Sequence, residues 1–280
     1  MIGTIVYKMS GSGNDFVFVD GRASPLSAWT PERILGVCDR HAGVGADGFV
    51  VLEPGSVPDA VRFHFFNNDG GRAAMCGNGA LCATRVAAHL ELARPDGMTL
   101  ETDAGAYHSR CVEGDGEWAE LMLGDLTQFS CPKVKLEGGE HEARLVQVGV
   151  PHLVVLVDDV GAVRLQERGR ALRFDQALGP PGANVNFAGR SGSGSAGGVS
   201  WTMRTYERGV EGETLACGTG AVASASVLAL AGQASLPLDV RTASGRVLRV
   251  AGTVEASAVR AASLIGEGRL IFRAILGEIA

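Results

Sequence analysis

The amino-acid sequence predicts an α/β protein of the mixed, α+β kind, built from two related halves, each with strands wrapped round one buried helix. Three observations carry this. Most of the chain reads as short apolar or alternating runs punctuated by Gly, Pro, Asn or Asp. Two segments, RAAMCGNGALCATRVAAHL and TLACGTGAVASASVLAL, share a Cys-Gly-x-Gly-Ala start about half the chain apart. Each then continues as an Ala/Leu/Val-rich helix that is apolar almost all round, the signature of a central helix rather than a surface one.

In chain order the predicted strands are TIVYKM, DFVFVD, GFVVLEP, AVRFHFF, HLVVLVDD, VNFAG, VSWTMRTYE, RVLRVAG and RLIFRAIL. A helix is predicted over Thr30–Asp39, where Thr-Pro-Glu supplies a cap and a proline in the first turn. The two repeat helices are expected at about Gly79–Ala93 and Gly220–Ala231. Ser191–Gly198, SGSGSAGG, reads as a flexible surface loop. Two Gly/Ala-rich helix starts can resemble one another by chance, but a duplicated unit explains the pair better than one mixed sheet does.

The chain has 280 residues and a net charge of −6, with no excess of Lys and Arg to neutralise phosphates, so nucleic-acid binding is not expected. Neither a signal peptide nor a run of about 18 apolar residues is visible, so no membrane span is expected. The six cysteines are spread through the chain rather than set in a disulfide framework, and a reducing cytoplasm is the expected compartment.

Cys76 and Cys217 each precede a Gly-x-Gly that opens a helix. A helix N-terminus carries unpaired N–H groups and a partial positive charge. It favours a thiolate, and it holds a carboxylate whose oxygens the glycines allow to approach. Two such ends facing one substrate carboxylate would put a thiol on each side of its α-carbon. One thiolate then takes the Cα proton while the opposite thiol delivers another, and the stereocentre inverts. Preorganised N–H donors stabilise the charge that develops.

No cofactor is expected. Lys8, Lys133 and Lys135 are the only lysines, and none sits where a Schiff-base lysine would. No metal is expected either, since CDRH at Cys38–His41 lacks a second ligand pair. Neither GSGNDF at Gly11–Phe16 nor any other segment completes a nucleotide fingerprint. His152 and Glu207 are candidate partners that tune the two thiols. On composition alone they read as readily as a structural histidine and a solvated Glu-Arg pair. Asn14, Asn67 and Asn184 stand in turn-like contexts where asparagine is common for backbone reasons.

Several segments together resemble the bacterial diaminopimelate epimerases: KMSGSGNDFVFVD, GVGADGFVVLE, FFNNDGGRAAMCGNGA, GVPHLVV, GANVNF and YERGVEGETLACGTGA. The resemblance spans nearly the whole chain, and the paired cysteine motifs are its most specific part. It implies two pseudo-symmetric halves, each a curved, mostly antiparallel sheet round a central helix: residues 1–119 plus 267–280, and 120–266. It implies conversion of LL-2,6-diaminopimelate to the meso form, with Cys76 and Cys217 as the acid/base pair and His152 and Glu207 adjusting them. Gly77, Asn78, Gly218 and Thr219 would hold the reacting carboxylate, and Asn14, Asn67, Asn184, Glu207 and Arg208 the rest of the substrate. A homodimer is implied as well. Two positions depart from the pattern: many members have Gln where Gly48 stands and Asn where Val150 stands. A racemase of the same fold acting on another amino acid is the nearest rival. An isomerase of the phenazine-biosynthesis type shares the fold without the cysteine pair, and a thiol redox protein would need a Cys-x-x-Cys that the chain lacks.

Overall fold

The computed structural model describes residues 2–112, 114, 116–191 and 201–278. Apart from Ser191, the predicted Ser191–Gly198 loop lies outside the described residues. The chain divides into two compact units, residues 1–122 with 265–280, and residues 123–264.

The first unit opens with β1 (Ile5–Gly11) and β2 (Asn14–Asp20), an antiparallel pair. The tight connection needs left-handed backbone, supplied by Ser12 at φ 53 and Gly13 at φ 115. Helix α1 (Pro31–Cys38) follows, with the Thr30 side chain accepting from the Arg33 N–H at its start. β2 then pairs in parallel with β3 (Gly48–Pro54), and β3 antiparallel with β4 (Ala60–Asn67). β4 pairs with the short β5 (Arg72–Ala73) and, past helix α2 (Gly77–His89), in parallel with β6 (Met98–Thr102). β7 (Gly105–Cys111) and β8 (Trp118–Leu126) extend the sheet antiparallel. The C-terminal strand Arg269–Ile275 returns to pair with β1.

Strand alternation divides the core of this unit into two layers. Val17, Val19, Phe49 and Val51 pack with Trp29, Ile34 and Val37 around α1. α2 touches β1, β2, β3, β4, β6, β7 and the C-terminal strand. Its small residues allow that approach, and the sheet reciprocates: a Cβ at Gly11 would stand 2.9 Å from both the Asn78 carbonyl oxygen and Cys82 Sγ.

The second unit repeats the plan. β9 (Phe129–Ser130) and β10 (Glu140–Val148) are antiparallel, as are β10 and β11 (Val150–Val157). Helix α3 (Leu165–Arg173) occupies the place of α1. β11 runs parallel to β12 (Asn184–Arg190), which is antiparallel to β13 (Trp201–Glu207). β13 pairs with β14 (Gly212–Thr214) and, past helix α4 (Gly218–Leu230), in parallel with β15 (Leu238–Arg241). β16 (Val247–Glu255) lies antiparallel to β15, and β17 (Ala258–Glu267) follows. The order of parallel and antiparallel joints from β10 to β16 is that from β1 to β7. Both central helices have 13 residues.

The predicted fold class and every predicted strand are present, with VSWTMRTYE described only from Trp201. The two central helices start two residues earlier than expected, at Gly77 and Gly218, because the cysteine itself is the cap. α2 also stops short of Ala93: Glu91 takes φ 55, and the N–H groups of Glu91 and Leu92 close back on Ala88 and Ala87. α4 ends at Leu230, with Gly232 at φ 69. α3 was not expected, since Gly169 interrupts a polar, arginine-rich segment. That glycine is what seats the helix, for a Cβ there would lie 2.5 Å from Tyr206 Cβ.

Candidate active site

Each unit carries a matching arrangement of residues around its central helix. In each, a short edge strand leads to a cysteine in extended conformation, Cys76 at φ −137, ψ 121 and Cys217 at φ −131, ψ 106. Each thiol sulfur takes the helix-capping role usually filled by Ser or Asp. Cys76 Sγ accepts from the Gly79 N–H at 3.5 Å, and Cys217 Sγ from the Gly220 N–H at 3.4 Å. The next N–H groups, those of Gly77, Asn78, Gly218 and Thr219, belong to the first helical turn and have no intrahelical acceptor. They form a ready anion cradle beside each thiol. Cys217 Sγ also lies 3.6 Å from Thr219 Oγ1.

Two other thiols of the first unit lie elsewhere, Cys38 at the end of α1 and Cys82 within α2. Burial pushes Cys38 up to about 12 and Cys82 well above its ordinary value, so neither supplies a thiolate near neutral pH.

In the first unit a polar chain runs from the α2 N-terminus. Asn78 Nδ2 donates to Asn14 Oδ1 at 2.8 Å, and Asn14 Nδ2 donates to Asp47 Oδ2 at 3.1 Å. Arg40 donates to Asp47 at 2.7 Å and grips Asp15 through both terminal nitrogens at 2.7 and 3.0 Å. Lys8 is buried, donating to Asp15 at 2.6 Å and to the Gly45 carbonyl. Burial works to raise the Asp15 pKa, but hydrogen bonds from Arg40 and Lys8 outweigh it and hold the carboxyl at about 2. Asn67, by contrast, is exposed at the end of β4, its main chain tied into the turn with Gly70 and Gly71.

In the second unit Asn184 and His152 are register partners across parallel strands. Asn184 Oδ1 accepts the Arg208 main-chain N–H at 2.8 Å. His152 is fully buried; desolvation, aided by the Arg208 charge, depresses it to about 3, so it is neutral at physiological pH. Its Nδ1 stands 3.2 Å from Asn186 Nδ2. Burial raises the Glu207 pKa.

Register relates the two units residue by residue. Counting from the cysteines through the strand partners aligns Phe16 with His152, Gly48 with Asn184, Val50 with Asn186 and Phe65 with Thr205. The first unit is thus apolar where the second carries His152, Asn186 and Thr205. At Gly48 a Cβ would meet Phe65 Cε2 at 2.8 Å, the Phe66 carbonyl oxygen at 3.0 Å and Phe16 Cδ1 at 3.2 Å. The aromatic rings already occupy the volume a longer residue there would need.

Sequence reasoning passed over Lys8, Arg40, Asp47 and Asn186. The signal for the first three was the pair of Asp-containing motifs around Asp15 and Asp47; for Asn186 it was a polar residue inside an otherwise apolar strand.

Comparison with known proteins agrees with this construction. The family described as diaminopimelate epimerase matches residues 6–128 and 144–262. The diaminopimelate epimerase of Gemmatimonas aurantiaca is 44% identical over 284 residues, covering 98% of this chain and 98% of its own. That of Aquifex aeolicus is 38% identical over 253 residues, 87% and 88% of the two chains. Among solved structures, a PhzF-family phenazine biosynthesis protein from Bacillus anthracis superposes with TM-score 0.71 at 15% identity, covering 98% of both chains. A predicted epimerase from Pseudomonas aeruginosa gives TM-score 0.67 at 21% identity over 98% of this chain and 99% of its own. At such identities these structures speak to the fold alone. Family model and relatives define an amino-acid epimerase, an isomerase on a mixed α/β fold. The chain belongs to the diaminopimelate epimerase family.

Proposed function

We propose that this enzyme converts LL-2,6-diaminopimelate to meso-2,6-diaminopimelate by two-base proton transfer at Cys76 and Cys217, without a cofactor. The observation that supports it best is the doubled cap, a thiol sulfur beside free helix N–H groups in both units of a duplicated fold. One cysteine, as thiolate, removes the Cα proton and becomes a thiol. The carbanion's charge spreads onto the α-carboxylate, held by the N–H groups of Gly77, Asn78, Gly218 and Thr219. The other cysteine delivers its proton to the opposite face and is left as thiolate. Each turnover exchanges the roles of the pair, and the reverse direction uses the same groups.

His152 and Glu207 adjust the two thiols in this reading. Asn14, Asn67 and Asn184 hold the substrate's polar groups together with Glu207, and Arg208 suits a bidentate grip on the distal carboxylate. A Schiff-base route has no candidate lysine: Lys8 is engaged by Asp15, and Lys133 and Lys135 are exposed. Among the described residues no helix is long and apolar enough to cross a membrane. The reading places the enzyme in the cytoplasm, as a homodimer, in the synthesis of lysine and peptidoglycan precursors.

The test is LL-diaminopimelate incubated with reduced enzyme in D2O, with stereoisomers separated and weighed. Meso product with one solvent deuteron is expected. Absence of conversion with intact thiols overturns the substrate assignment and turns attention to other amino acids, the same-fold alternative that Gly48 and Val150 keep in view.

A further inference from the structure

Asn186 lies on β12, fully buried, with each of its polar atoms engaged. Its amide nitrogen is 3.3 Å from the Leu153 carbonyl oxygen, which can only accept, so the NH2 end must face that side. Its Oδ1 accepts from the Thr205 hydroxyl at 2.9 Å. The group turned to His152 Nδ1 at 3.2 Å is therefore an N–H donor. A donor needs a bare lone pair opposite it. A neutral imidazole with a bare Nδ1 carries its proton on Nε2.

We propose that Asn186 is a positioning residue that locks His152 in the Nε2–H tautomer, so that the imidazole serves the site as a neutral hydrogen-bond donor and not as a base. His152 Nε2 is buried without a hydrogen-bond partner among the described residues. A buried donor left so is unfavourable, and a carboxylate or thiolate satisfies it. With its proton on Nε2, this nitrogen cannot collect one from a thiol; it can only donate. The arrangement is also not required by the fold. The first unit builds the same strand topology with Phe16, Val50 and Phe65 at the three equivalent register positions. Asn186 further borders the turn that holds Cys217, since its Oδ1 would lie 2.4 Å from a Cβ at Gly220.

The proposal rests on reading His152 as a site residue, and the experiment separates the two. The full-length enzyme is labelled with 15N-histidine, and His152 is assigned by its loss in the His152→Phe variant. A proton coupled to Nε2 and a Nδ1 resonance at the bare-nitrogen position are expected. Asn186→Asp presents an acceptor instead, and should move the proton to Nδ1 and lower kcat by about tenfold or more, with KM changed less than about threefold. A Nδ1–H signal in the unmutated enzyme overturns the proposal even if Asn186→Asp does not fold, and so does a folded Asn186→Asp variant that keeps Nε2–H. Full turnover by His152→Phe overturns the functional role of the lock and, with it, the placing of His152 in the site. Slowed turnover in that variant with Nδ1–H in the unmutated enzyme leaves the site reading standing alone.

Discussion

Gly220 stands so close to Asn186 that a Cβ on it would lie 2.4 Å from Oδ1, whereas its counterpart Gly79 has no neighbour nearer than 3.4 Å to the same added atom. The two Cys-Gly-x-Gly turns look alike in sequence but tolerate a methyl group differently. Gly220→Ala must displace Asn186 or the helix start, and overpacking of this kind costs about 1–3 kcal/mol. Gly79→Ala meets only ordinary contacts and gains about 1 kcal/mol of helix propensity. Urea melts and kcat/KM should rank Gly220→Ala well below Gly79→Ala on both measures. Equal losses in the two variants would show that the crowding at Asn186 is not what fixes Gly220.

Gly48 is set by Phe65. A Cβ at Gly48 would come 2.8 Å from Phe65 Cε2, so Gly48→Ala alone should destabilise by about 1–3 kcal/mol. Phe65→Leu alone removes packing and also destabilises. Combined, the two substitutions should cost less than their sum, since the smaller side chain vacates the space the methyl group needs. Denaturant midpoints for the four proteins of a double-mutant cycle measure the coupling. Strict additivity would mean that the Phe66 carbonyl oxygen, not the ring, excludes a side chain.

The buried neutral His152 makes a specific prediction about acid. Its folded value of about 3 lies below the usual 6.5, so between those pH values the unfolded chain binds a proton the folded chain does not. Stability from this residue is fully present above 6.5 and drains as pH falls toward 3, by about 1.4 kcal/mol per unit within the window. Glu207 acts oppositely: its raised value favours the folded state in acid and loses that contribution as pH rises. Comparing the enzyme with His152→Phe cancels Glu207 and other shared groups. From pH 7 to pH 5 the unmutated protein should lose about 2 kcal/mol more than the variant. Parallel stability profiles would show that His152 charges freely in the folded state.

What the sequence could disclose follows from the range of the interactions. The two cysteine caps are local: a sulfur, three residues and an N–H decide them, so Cys76 and Cys217 were readable directly. The central helices were readable as well, because Ala-rich segments apolar all round have no other home. α3 was not, for the reason Gly169 is there lies in Tyr206, far along the chain. Asn186 stood out only as a polar residue within a strand; its role was not readable, because its partners His152 and Thr205 meet it only through strand register. Lys8 was weighed only as a lysine unsuited to a Schiff base, and it reaches Asp15 across the antiparallel pair of β1 with β2. Asp47, with Arg40 in the loop before it, is brought to Asn14 and Asp15 by the parallel joint of β2 with β3.

That joint yields the last prediction. Asp47 accepts from Asn14 Nδ2 and is itself held by Arg40, so Asn14 is left with Oδ1 turned to Asn78 at the α2 N-terminus. Asp47→Ala removes the acceptor and leaves the Asn14 amide anchored through Oδ1 to Asn78 alone of this pair, with Nδ2 released. If Asn14 meets substrate as proposed, KM should rise by about tenfold, the loss of roughly one hydrogen bond of about 1.4 kcal/mol. Asp47→Asn keeps an acceptor oxygen and should recover much of the difference, although its weaker hold on Arg40 also loosens Asp15. Steady-state kinetics on the three proteins, with melts to confirm folding, check the ranking. Should Asp47→Ala bind substrate as tightly as the unmutated enzyme, Asn14 either needs no anchoring or does not meet the substrate. Asn14→Ala in the same assay tells these apart, since an unchanged KM there removes Asn14 from the site.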